Sequence, residues 1–184
     1  MTSQAHTSRV SAGEYRYKVI HQPKSDVTRP VTQKLRAAIF DTIGHDLSGL
    51  TVLDLYAGSG ALAMEALSRG ASEVTTVEQD RQAQKSIVAN ERELGVSLGL
   101  RELSVEAYLE SDTKSYDIIF LDPPYAAFSD DIALEAASHL DDEGVLIISC
   151  SASQALPEGL GTASIVKART YDDTQLAYYK KPAK

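Results

Sequence analysis

With 184 residues, 43% hydrophobic and 24% charged, the chain has the size and composition of one ordinary soluble globular domain. No apolar run could span a bilayer, the first ten residues are polar rather than signal-like, and the single Cys150 excludes an internal disulfide. The expectation is a cytoplasmic protein, and four scattered histidines with one cysteine argue against a zinc site.

The net charge of −8 is unevenly spread. Residues 1–36 carry seven Lys/Arg against two acids, 167–184 carry five against two, and 37–166 carry six against twenty-two. Phosphate binding depends on a local basic surface, so the acidic total does not exclude a nucleic-acid partner. Basic tails that merely balance an acidic body remain the alternative.

Residues 8–21 alternate as a short hairpin with basic and aromatic side chains, and 22–30 read as a polar loop ending in Thr28-Arg29-Pro30. From Val31 to Ile43, Leu35, Ala38, Ile39 and Ile43 have helical spacing, with Gly44 as a stop. Strand–helix alternation begins at Leu50. Thr51–Tyr56 is a buried strand, a helix runs over about 60–69, and Glu73–Glu78 is a second strand. A helix from Asp80 to about Leu94 follows, then a weaker strand near 99–104. Tyr116–Leu121 is a strong buried strand, a helix covers Asp130–Leu140, and Gly144–Cys150 is another strand holding Cys150 as a core residue. Ala163–Ala168 and Thr174–Lys180 form a closing pair around a turn at Asp172-Asp173. Repeated strand–helix units imply an α/β fold: a mostly parallel sheet with helices on both faces, binding ligands outside the strands' carboxyl ends. No linker divides the chain, which reads as one domain with a basic hairpin and helix over 1–44 and a core over 50–181.

Three groups fall on that rim. In Asp54-Leu-Tyr-Ala-Gly58-Ser59-Gly60, glycines let backbone approach a ligand while the chain turns from strand into helix. Dinucleotides and S-adenosylmethionine make the same demand, as does a plain structural turn. Glu78 ends the next strand, where a carboxylate can accept both ribose hydroxyls of an adenosine. Asp122-Pro123-Pro124-Tyr125 is the third. Its prolines fix two φ angles, leaving the Asp122 carboxylate and Pro123 carbonyl as outward acceptors for a planar amino group, with Tyr125 able to stack on a base. A nicotinamide enzyme has no use for this tetrapeptide, so the cofactor reads as S-adenosylmethionine. The tetrapeptide alone leaves several acceptors open: guanine N2, adenine N6 of DNA or RNA, or a protein amide nitrogen.

Several segments resemble one family. Arg9-Val-Ser-Ala-Gly13 with Arg16 and Lys18, Thr28–Arg36, the run Leu53–Ala71, Asp122–Tyr125 and Tyr171–Leu176 occur in the motif order of the RsmD family of class I S-adenosylmethionine-dependent methyltransferases. The resemblance spans roughly Arg9 to Tyr179. It implies a Rossmann-like fold with a seven-stranded sheet, and methylation of guanine N2 in small-subunit ribosomal RNA (guanine 966 of 16S rRNA). By resemblance, Asp54, Tyr56, Ala57, Gly58, Ser59 and Gly60 cradle the methionine end of the cofactor. Glu78 then holds the ribose, and Glu106 with Ala107 lies near the adenine. Arg9, Arg16, Lys18, Arg29, Lys34 and Arg36 are the expected RNA contacts. The expected partner is ribosomal RNA or a small-subunit assembly particle, bound by a monomer without metal or membrane.

Overall fold

A computed structural model of the chain describes residues 7–23 and 32–182. Thr28-Arg29-Pro30, and with it the Arg29 expectation, lies outside the described residues. Strands β1 (Thr7–Arg9) and β2 (Val19–His21) pair antiparallel as the expected hairpin, and α1 covers Gln33–Ile43. The core then runs β3 (Thr51–Leu55), α2 (Ala61–Ser68), β4 (Glu73–Val77), α3 (Arg81–Leu94), β5 (Leu100–Arg101) and α4 (Val105–Ser111). It continues through β6 (Tyr116–Leu121), α5 (Asp130–Ser138), β7 (Leu140–Ser151), β8 (Gly159–Leu160), β9 (Ala163–Tyr171) and β10 (Thr174–Lys180). Among the described residues no helix is long and apolar enough to cross a membrane.

The large sheet has the order β5-β4-β3-β6-β7-β10-β9-β8. Strands β5 through β7 are parallel, and β10 inserts antiparallel between β7 and β9. This is the expected Rossmann-like α/β fold, with eight strands rather than seven because the two-residue β8 adds an edge to β9. The chain crosses from β3 outward to β4 and β5, then returns to β6 on the other side of β3, so the topological switch lies between β3 and β6.

Period-two alternation splits the core. Val52, Ile118, Phe120 and Ile147 pack on one face with the hairpin, α1, α2 and α3. Leu53, Leu55, Ile119 and Leu121 pack on the other with α4 and α5. Helix α4 was not expected. Ser104 caps it by accepting the Ala107 N–H at 3.2 Å, and its apolar residues Val105, Tyr108 and Leu109 have helical spacing, but seven residues give too short a period to stand out.

The hairpin loop docks on the C-terminal end of α2. Glu14 N–H donates to the Ser68 carbonyl at 2.8 Å and Tyr15 N–H to Ser68 Oγ at 2.9 Å. Gly13 is required there, since a Cβ would lie 1.7 Å from the Ser68 carbonyl oxygen.

Candidate active site

A cleft of about 600 Å³ opens at the carboxyl ends of β3, β4, β6 and β7, across the switch point. The glycine loop forms one wall with Tyr56, Ala57, Gly58 and Ser59, and Asp54 lies beneath it. Gly60 starts α2 at φ +75°, which favours glycine, and a Cβ there would crowd the Leu98 side chain at 3.1 Å. Glu78 braces the loop: its carboxylate accepts Gly58 N–H at 2.8 Å and Asp80 N–H at 2.7 Å. Asp122, Pro123, Pro124 and Tyr125 form the facing wall. The Tyr125 hydroxyl meets Thr174 Oγ1 at 2.7 Å, tying this wall to the β9–β10 turn.

Burial sets the charge state. Asp54 is buried, and desolvation pushes its carboxyl up to about 8 against the Ala63 N–H it accepts at 3.2 Å, with the charges of Asp122 and Glu78 adding to the rise. Desolvation raises Asp122 to about 6, opposed by the Ser149 hydroxyl. Tyr56 is strained at φ +61°, with its hydroxyl buried on the side of Glu106. Burial, with the nearby Glu106 carboxylate, pushes that phenol up to about 12. Six carboxylates line the cleft (Asp54, Glu78, Asp80, Asp122, Asp172, Asp173), and no Lys or Arg does so among the described residues. Such a lining repels phosphates and attracts a cation.

Most of the residues expected to hold the cofactor or act on the substrate are therefore brought together. Glu106 and Ala107 are not part of the lining: both are exposed on the first turn of α4, and the Ala107 N–H is committed to Ser104. Sequence reasoning missed Asp80, Ser149 and the Tyr171–Thr174 turn, as well as Gln22 and Pro23, which carry the chain from the hairpin to the cleft mouth. The Asp-Asp turn was legible as a turn; only the topology puts it beside Asp122.

The basic residues distribute differently from expectation. Arg36 is 1% exposed, and its guanidinium donates to the Arg9 carbonyl and lies 3.5 Å from Glu65, itself fully buried. Glu65 also accepts Arg69 at 2.9 Å and the Ser11 and Ala12 N–H groups at 2.9 and 3.1 Å. Arg36 is thus a structural ion-pair partner that staples the hairpin to α1 and α2, and it is withdrawn as an RNA contact because no ligand can reach it. Arg16 lies 4.6 Å above the exposed Tyr17 ring, and Arg9 Nη1 donates to the Tyr17 carbonyl at 2.8 Å. With Lys18 they belong to the hairpin and the loop docked at Ser68, not to the cleft lining. The eight residues of α2 separate that loop from the glycine loop by about 12 Å. Of the five that are described, Lys34 alone reaches the mouth, 3.3 Å from Asp172.

Residues 8–180 match the model of the family described as conserved hypothetical protein 95. The chain belongs to that family, the RsmD family its motifs resemble. It is 31% identical over 182 residues to YlbH of Bacillus subtilis, provisionally named an rRNA methyltransferase, with 94% of this chain and 98% of that one covered. It is 26% identical over 179 residues to the ribosomal RNA small subunit methyltransferase D of Escherichia coli, covering 95% and 90%. Among solved structures, yhhF of Escherichia coli superposes with a TM-score of 0.86 at 24% identity, over 97% of this chain and 100% of that chain, and shares the fold.

Proposed function

We propose that the chain transfers a methyl group from S-adenosylmethionine to the exocyclic N2 amino group of a guanine in small-subunit ribosomal RNA. One observation carries the chemistry: the Asp122–Tyr125 wall and the glycine loop with Glu78 face each other across one acid-lined cleft. A dinucleotide would bring two phosphates into an acidic cleft with no Lys or Arg among its described lining residues, whereas a sulfonium and an ammonium group suit that lining. The volume lies in the range of ligand pockets, roughly 300–1,000 Å³. Glu78 stands where a ribose could be accepted, and the Gly58–Gly60 turn leaves room for the methionine end. The RNA class follows from the relatives' names, and guanine N2 from the family resemblance.

S-adenosylmethionine, when bound, supplies the electrophilic methyl group. Asp122 and the Pro123 carbonyl accept the two N2 hydrogens, fixing the nitrogen's orientation and favouring its pyramidal, cationic transition state. Asp122 then takes the proton released from N2, a role suited to a carboxyl near 6 that is ionised at neutral pH. Tyr125, its hydroxyl anchored on Thr174, presents its ring to the base. The acidic lining keeps phosphates out, so the neutral base enters alone, turned out of its stack. In the alternative, the same wall takes adenine N6 or a protein amide nitrogen. Nucleoside mass spectrometry of small-subunit rRNA from a deletion strain decides: loss of one N2-methylguanine is expected, and an unchanged profile would refute the reading.

A further inference from the structure

Asn90, on α3, is fully buried and belongs to none of the cleft walls. Its amide is nevertheless fully committed. Nδ2 donates to the His21 carbonyl and to the Ser59 carbonyl, both at 3.1 Å, and Oδ1 accepts the His21 N–H at 2.9 Å. The side chain thus pairs with His21 as a neighbouring strand would, and spends its second donor on the glycine loop. One turn further along α3, Glu93 Oε2 meets His21 Nε2 at 2.5 Å, clamping the same residue from outside. Gln22 and Pro23 follow His21 directly and form part of the cleft mouth.

We propose that Asn90 is a positioning residue that holds Ser59 of the glycine loop and the His21–Pro23 wall as one unit, so that cofactor binding on the loop orders the wall the RNA base must pass. The inference rests on reading the cleft as the S-adenosylmethionine site. Its physical basis is that two backbone segments sharing one buried amide cannot move independently without stranding a polar group in the core. A ligand that stiffens the loop then stiffens the wall, and by reciprocity a substrate held at the wall tightens the cofactor.

The test uses S-adenosylhomocysteine as probe, with calorimetry for affinity and amide hydrogen exchange followed on peptides covering 17–22 and 56–62. In the wild type, saturating ligand should slow exchange in both peptides. Asn90→Ala should weaken binding about tenfold, and at saturation should retain protection in 56–62 while losing it in 17–22. His21→Pro, which removes the N–H that Asn90 accepts and leaves α3 intact, should uncouple the two peptides in the same way and stands in if Asn90→Ala fails to fold. A purely structural role would lower the melting temperature without separating the two protections. Equal protection of both peptides in the variants overturns the coupling alone, as does a wild-type wall that ignores the ligand. Absence of any binding to the wild type overturns the cofactor reading and the coupling with it.

Discussion

Asp54 and Asp122 face one cleft from neighbouring parallel strands, and the charge of Asp122 adds to burial in raising Asp54 to about 8 while Asp122 itself sits near 6. Two carboxyls with separated titrations can hold different roles at one pH. At neutral pH Asp122 is ionised, as its proposed role as acceptor requires, and Asp54 retains its proton. The expected pH profile follows. Below about 6, kcat/KM should fall about tenfold per pH unit as Asp122 gains a proton. A profile flat down to pH 5 would exclude Asp122 as the acceptor. Asp122→Ala should abolish methyl transfer while leaving S-adenosylhomocysteine affinity within a few-fold; full activity in that variant would sink the proposed mechanism.

Asp54 should also govern stability. Its folded carboxyl titrates at about 8, far above the ordinary aspartate value of 3.8, so between those values the native state holds a proton that the unfolded chain has lost. Stability from this group is therefore fully present below about 4 and is lost progressively as pH rises to about 8. Asp54→Asn keeps an acceptor for the Ala63 N–H but cannot ionise. The variant should melt close to the wild type near pH 4 and clearly above it at pH 9, with the gap widening between those values, while binding the cationic cofactor more weakly. Parallel melting curves at the two pH values would contradict the assignment.

Glu78 braces the glycine loop through both carboxylate oxygens, on Gly58 N–H and Asp80 N–H. Glu78→Gln replaces one acceptor with an amide facing an N–H donor. S-adenosylhomocysteine affinity should drop at least tenfold by calorimetry, with a small effect on melting. Unchanged affinity would remove Glu78 from the ribose role.

The central fold was legible because β3 and β6 are mostly apolar and β4 is rich in β-branched residues, each with helical spacing further on, the pattern of a sheet covered on both faces. The cleft residues were legible because the switch point fixes which strand ends meet. What escaped notice depends on burial and distance. Arg36 reads as a surface cation because charge alone says nothing about exposure. Yet it lies between Ile39 and Phe40 on the apolar arc of α1, and its partner Glu65 stands alone in the otherwise apolar Ala61–Leu67. An acid inside one buried helix and a base on the arc of another were the available signal. Asn90 gave none: an asparagine late in an amphipathic helix reads as surface until the hairpin is folded onto it.

The contrast between Arg36 and Lys34 separates a structural cation from a proposed RNA contact. Arg36 is buried beside Glu65, so Arg36→Met leaves part of a buried carboxylate without its counter-charge, a loss of about 3–5 kcal/mol when one partner of such a pair is removed. In a domain of this size that corresponds to a melting temperature lower by roughly 6–20 °C. Folded Arg36→Met should nevertheless show an unchanged salt dependence of RNA binding, because the side chain never reached solvent. Lys34 and Asp172 are both largely exposed, and their 3.3 Å pair contributes little to stability. At the cleft mouth, Lys34 can exchange Asp172 for an RNA phosphate. Lys34→Ala should therefore melt with the wild type but reduce the slope of log K against log salt by about one, the loss of one phosphate contact. A reduced slope for Arg36→Met with an unchanged one for Lys34→Ala would reverse both assignments.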